Sequence, residues 1–222
     1  MELFRSPIIF KRPEKPEQRR KTAVVPAGRS VGASFTTVQM ALYDGRANVI
    51  ELGKPYFYAA YGMEKRFADR PFVFFEDDNP GCQLSSIRNV EFGINWLLRR
   101  ENSGPMSEAL LMKAVSLPPA GNSYFDFSDV GRELILSCLS EMDEIFLVVD
   151  PLPTKLLEGA QFMEKLMLMF PETTVIVNKM NPGVHRNELK RFLGHSKIKE
   201  IPFYPPEEIY RSEYNCCPPM FT

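Results

Sequence analysis

The chain predicts an α/β fold of three layers, a mostly parallel sheet with helices on both faces. Three observations carry this. From Thr22 onward, short β-rich runs alternate with helical stretches. Two runs, Glu144–Val149 and residues 173–177, are almost continuously apolar, as strands covered on both faces are. The apolar run at residues 22–25 leads through a glycine-bearing turn directly into a helical stretch.

The elements follow in order. Residues 22–25 form the first strand and 35–42 a helix. Residues 47–52, 93–98 and 122–128 give the second, third and fourth strands, the fourth carrying Tyr124, Phe125 and Phe127. Glu144–Val149 and residues 173–177 come next, and 199–203 form a short last strand. Between them, Leu134, Ile135, Cys138 and Leu139 fall at helical spacing, which puts Cys138 in the core. Leu156, Ala160, Met163 and Leu166 make an apolar stripe between Lys155, Glu158, Glu164 and Lys165. Residues 188–193 form a short basic helix capped by Gly194. In the less legible stretch 53–92, residues 57–63 read as a short helix and 76–81 as a turn. The aromatic residues from Tyr56 to Phe75 admit two readings, a partner surface or core packing.

The 222 residues suffice for one α/β domain with a proper core, residues 22–222 including a short C-terminal tail. Residues 1–21 form a separate basic, Pro-containing leader, with seven Lys or Arg against three Glu. The leader is either an arm for a partner or peripheral membrane contact, or a solvated tether. A net charge of −1 gives no field for nucleic acid, which opposes a reading through Lys11–Lys21 and the Arg186–Arg191 helix. No apolar run reaches membrane-spanning length and no signal peptide is evident, so the expected location is cytoplasmic. Cys82, Cys138, Cys216 and Cys217 lack the spacing of a zinc site, and His185 and His195 are expected to face solvent.

The candidate site is the turn at residues 27–34, Ala-Gly-Arg-Ser-Val-Gly-Ala-Ser. Against the phosphate-binding pattern G-x-x-x-x-G-K-[ST], Ala27 takes the first glycine slot, Gly32 keeps the second, and Ser34 keeps the hydroxyl. Ala33 stands where the lysine belongs. A backbone that cradles an anion is retained, while the charge that holds it is gone.

Four segments together resemble the MinD/ParA/CobQ group of deviant-Walker-A P-loop proteins, over about residues 21–219. They are Gly28 to Ser34 followed by Thr36-Thr37; Asp129-Val130-Gly131; Asp143 to Pro151; and Val175 to Met180 with Ile201-Pro202 beyond. The resemblance implies a P-loop NTPase-like fold and ATP or ADP with Mg²⁺ as a weakly held ligand. It implies nucleotide contacts at Gly28, Arg29, Ser30, Val31, Gly32, Ala33, Ser34 and Phe35, with Asn178 at the base edge. It implies Mg²⁺ at Ser34 and Asp129. From the residues alone, Asp129 is equally a helix cap, Asn178 a turn residue after a strand, and Glu51 an exposed strand end.

The chain departs from that family at three places. Ala33 and Gly28 replace its two nucleotide-serving lysines, and Glu51-Leu52-Gly53 lacks the carboxylate that polarises water. One missing charge clamp costs about 3–4 kcal/mol of transition-state stabilisation. Such losses do not add, but together they imply little or no hydrolysis, and no residue is assigned a catalytic role. The resemblance therefore implies a degenerate bacterial member, of the TadZ/CpaE kind, that positions or assembles a protein partner or a homodimer. The alternative is a nucleotide switch in which Arg29 replaces a lysine and Glu51 serves the water.

Overall fold

The computed structural model describes residues 19–77, 86–116, 118–194 and 197–215. Expectations for residues 1–18, 78–81, Cys82, His195, Cys216 and Cys217 lie outside them.

One eight-stranded sheet organises the chain. Its strands are β1 (Lys21–Pro26), β2 (Ala47–Glu51), β3 (Val90–Glu91), β4 (Ile94–Leu97), β5 (Asn122–Asp126), β6 (Glu144–Val149), β7 (Thr174–Met180) and β8 (Lys197–Pro202). They lie in the order β3-β4-β2-β5-β1-β6-β7-β8. Every neighbouring pair is parallel except β3–β4, a short hairpin at the edge. The helices are α1 (Ala33–Asp44), α2 (Phe57–Ala60), α3 (Met63–Arg66), α4 (Glu108–Ser116), α5 (Arg132–Cys138), α6 (Pro153–Met169), α7 (Arg186–Leu193) and α8 (Pro206–Asn215).

Alternation along the central strands makes the three layers. Ala23 and Val25 of β1, Leu147 and Val149 of β6, and Val175 and Val177 of β7 join one core with Leu111, Leu136, Phe162 and Leu166 of the helices. The intervening Val24, Phe146, Val148 and Ile176 face the other side and pack with Val31 and Ala33. Residues in between are thus buried on both faces, which is why these runs are apolar without interruption.

A third cluster surrounds the fully buried Trp96 with Phe57, Tyr61, Met63 and Phe67. Phe57 and Tyr61 meet the Trp96 ring at centroid distances of 6.2 and 5.1 Å. The aromatic stretch therefore serves mainly as core, although Tyr56 is half exposed. It folds as two helices, not one, because Gly62 at φ 59° breaks the run. The sequence reading also missed α4, α8 and the edge strand β3. Cys138 is fully buried and His185 is exposed.

Candidate functional site

Strand β1 sits at the centre of the sheet, with β5 on one side and β6 on the other. The chain leaves β1 for β2 on the β5 side and later crosses to β6. The turn after β1 therefore lies at the switch point of the sheet, where α/β folds form their crevice.

That turn is held from below. Ala27 N donates to Val148 O at 2.9 Å. Ser30 at φ 58° and Gly32 at φ 88° reverse the chain into α1. Val31 and Ala33 are buried beside Val24 and Phe146, so a methyl group packed into the core occupies the lysine slot. Thr36 Oγ1 and Thr37 Oγ1 donate back to Gly32 O and Ala33 O at 2.9 and 3.0 Å, tightening the first turn of α1.

It is also braced from the side by β7. Asn178 Nδ2 donates to Val31 O at 2.9 Å, and Asn178 Oδ1 accepts from Lys179 N at 2.9 Å. Asn178 is thus a buried strand residue, not a turn residue, and both ends of its amide are bonded within the chain. A Cβ on Gly32 would lie 2.1 Å from Asn178 Nδ2, so only glycine fits there. Lys179, itself at φ 63°, donates from Nζ to Ser30 O at 2.9 Å and to the buried Asp150 Oδ2 at 2.8 Å. The sequence held this lysine, but its role as a brace had no signal in the spacing.

At the floor, Ser34 Oγ donates to Ser128 Oγ at 2.9 Å, and Ser128 Oγ donates to Asp126 Oδ1 at 2.6 Å. Asp126, the last residue of β5, is buried, and burial pushes its carboxyl above the usual range. Asp129 lies three residues beyond at φ 60°, exposed at the cleft wall, and it does not cap α5, whose N-cap is Gly131. The buried carboxylate beside Ser34 is therefore that of Asp126. One hydroxyl and one carboxylate fit Mg²⁺ in company with a phosphate, the way this ion is usually held. Among the described residues, no group of three or more His, Cys, Asp or Glu could hold a metal alone.

The opposite wall is the β2–α2 loop. Glu51 is not exposed, as its strand-end position suggested, but 1% accessible. Its Oε1 accepts from Tyr56 N and Phe57 N at 2.7 and 2.8 Å, and Oε2 accepts from Arg99 N at 3.2 Å. Burial raises its carboxyl to about 7 despite those three amides. Arg99, 2% accessible, donates to Glu76 Oε1, Gly53 O and Gly104 O at 2.8, 2.6 and 2.5 Å. These bonds consume Glu51 in shaping the loop and leave it no free oxygen to orient water.

Between the walls is a cleft of about 1000 Å³. Gly28, Arg29, Ser30, Val31, Gly32, Ala33 and Ser34 all line it, while Phe35 and Asn178 do not. Arg29, Lys54 and Arg132 bring positive charge to it, and Asp129 and Glu158 bring negative charge. Arg132 lies over the Phe162 ring at 5.2 Å, and Glu158 pairs with Lys155 at 3.3 Å.

The sheet order, the loop at the switch point and the helices on both faces define a P-loop NTPase fold of the MinD/ParA type. A plasmid partition protein of Borrelia burgdorferi bound to AMPPNP superposes with a TM-score of 0.67 at 10% identity, over 92% of this chain and 93% of that one. MinD of Pyrococcus horikoshii complexed with Mg-ADP gives 0.65 at 14% identity, over 89% and 87%. The MinC:MinD complex of Aquifex aeolicus gives 0.64 at 16% identity, over 87% and 86%. No protein-family profile matches the chain, and no curated protein matches it. Among the described residues, no helix is long and apolar enough to cross a membrane.

Proposed function

We propose that this chain is a catalytically impaired MinD/ParA-like protein that acts by binding, as a positioning or assembly scaffold for a protein partner or a second copy of itself. The observation that carries this reading is the buried methyl group of Ala33 in the lysine slot. Lys179, which reaches the loop from β7, does not compensate, because its ammonium is spent on Asp150 and Ser30 O. Glu51 is equally spent on backbone amides. Phosphoryl transfer depends on positioned charge and an oriented nucleophile; the loop lysine is absent and the one carboxylate placed to orient water, Glu51, is engaged. Mg²⁺, where present, would be held by Ser34 and Asp126 and would neutralise phosphate charge. Exposed Leu152, Leu157, Phe192 and Phe203 border a groove beside α6 and α7, apolar surface of the kind protein contacts use. Partners named for the relatives, such as MinC, support a partner-binding role without naming one here.

A second reading, a nucleotide-binding switch, is favoured by the basic residues Arg29 and Lys54 in the cleft. Calorimetry with ATP–Mg²⁺ on the wild type and Ser34→Ala, beside a phosphate-release assay, separates the two. The scaffold reading expects no release above buffer in either protein. ATP turnover that is abolished by Arg29→Met overturns it.

A further inference from the structure

We propose that the cleft takes a di- or triphosphate group and that Lys54, carried on the β2–α2 loop, grips it in place of the lysine absent at position 33. This deepens the non-hydrolysing reading above and rests on it.

Three observations converge on Lys54. It is exposed at the cleft wall and forms no hydrogen bond or ion pair among the described residues. Lys155, Lys165 and Lys197 are paired with Glu158, Glu133 and Glu172, and the other exposed lysines unpaired among the described residues, Lys65, Lys113 and Lys190, lie on helices that do not line the cleft. The backbone that presents Lys54 is also fixed from several sides. Glu51 holds the amides of Tyr56 and Phe57, and Arg99 Nη1 holds Gly53 O at 2.6 Å. Pro55 restricts Lys54 to extended backbone. Gly53 is pressed against the turn that follows β5 at the floor, so closely that a Cβ would fall 1.4 Å from Ser128 O. A buried carboxylate and a buried guanidinium are costly devices. Here they immobilise the backbone on either side of one solvent-exposed cation.

The third observation is what lies across from it. Arg29 reaches the same cleft from the P-loop side, and it too is unpaired among the described residues. Ser34 supplies a hydroxyl at the floor. Two cations on facing walls bracket a ligand with several negative charges. Lysine serves phosphate as a point charge, without the paired geometry a carboxylate asks of arginine. The opposing charges are Asp129 and Glu158, and Glu158 is already engaged by Lys155. A nucleotide and inorganic pyrophosphate offer the same group, so both serve as probes.

The test is calorimetric titration at low ionic strength with pyrophosphate and with ATP–Mg²⁺. It uses the full chain, Lys54→Met, Lys54→Arg, and Lys197→Met as a control of equal charge change. Loss of one charged hydrogen bond weakens binding by ~10- to 100-fold. Lys54→Met should weaken both probes by that factor, Lys54→Arg should keep most of the affinity, and Lys197→Met should match the wild type. The melting temperature of Lys54→Met should not move, since the side chain is exposed and makes no hydrogen bond or ion pair among the described residues. Tighter ATP than pyrophosphate upholds the site and adds contacts beyond the diphosphate; equal affinity upholds it as a phosphate site. Wild-type affinity in Lys54→Met, or no heat from either probe at millimolar concentration, overturns the proposal. Phosphate release on the same samples keeps the two readings apart. Turnover lost in Lys54→Met upholds the site and sinks the non-hydrolysing reading, whereas absent binding with absent turnover does the reverse.

Discussion

The two walls of the cleft are fixed to the sheet by opposite means. On the P-loop wall, the braces are donors. Lys179 and Asn178 reach in from β7 and take the carbonyls of Ser30 and Val31. On the β2–α2 wall, the main brace is an acceptor, Glu51, which takes the amides of Tyr56 and Phe57. The first wall spends a lysine on its own architecture. The second spends a carboxylate and leaves a lysine over. Proximity to the loop in sequence or space therefore does not decide which cation can meet a ligand. What decides it is whether a carbonyl or carboxylate of the chain has already claimed the charge.

The sharpest way to break this comparison is at the glycines. Gly53→Ala forces a Cβ into Ser128 O, backbone against backbone, with no flexible side chain to yield. Overpacking of this severity costs about 4 kcal/mol or more. For a chain of this size the melting temperature should fall by roughly 8–16 °C. Gly28→Ala, on the other wall, meets nothing closer than Glu158 Cδ at 3.7 Å and has an ordinary backbone. It should melt with the wild type. Equal melting of the two variants in a thermal scan would mean that the β2–α2 loop is not pressed against its neighbour.

The second effect is on pH dependence and belongs to the β2–α2 wall. Burial raises the Glu51 carboxyl from 4.5 to about 7, so the folded chain holds this proton more tightly than the unfolded chain. The stabilising contribution is complete below about 4.5 and is lost as pH rises through about 7, a change of about 3 kcal/mol. Asp126, its register partner on β5, is also pushed up by burial and acts in the same direction. Glu51→Gln cannot titrate, so its urea midpoint should fall less between pH 5 and pH 8 than that of the wild type, with Asp126 leaving a residual slope. At pH 5 the variant should be less stable by about 1–3 kcal/mol, because an amide nitrogen turned toward Arg99 N–H leaves that donor unmet. Identical slopes would show that Glu51 does not titrate in this range.

The sheet was legible because burial on both faces leaves a mark in the sequence. Glu144–Val149 and the core of β7 can be read as central strands from apolar runs alone. The loop was legible because Gly32 and Ser34 keep fixed offsets from a strand end. Helix α8 was missed although its signals were present: Pro206 at its first position and Glu207 and Glu208 in its first turn. Helix α4 carried one too, since Ser107 Oγ caps Leu110 N at 3.2 Å. The site chemistry was harder to read. Asp126 and Asp129 both follow an aromatic run, and only the point where β5 ends separates the buried carboxylate from the exposed one. Glu51 looked exposed because its partners are backbone amides, which have no letter of their own. Lys54 had only its neighbours, Gly53 and Pro55, to mark a backbone held rigid.

The smallest effect sharpens the P-loop side. Lys179→Met removes the contact with Asp150 and the bond to Ser30 O. Lys179 is 39% accessible, so water screens part of the pair, while Asp150 at 3% keeps only the Leu152 amide on its other oxygen. The net loss should be about 1–2 kcal/mol. Lys179→Gly loses the same bonds but relieves a left-handed backbone that costs a non-glycine residue about 1–2 kcal/mol. It should therefore sit near the wild type in urea midpoint, while both variants, having lost the bond to Ser30 O, should show faster hydrogen exchange at residues 28–32. If exchange there stays slow in both variants, Asn178 alone holds the loop. Lys179 would then be available to a ligand, and the contrast between a spent lysine on one wall and a free one on the other would fail.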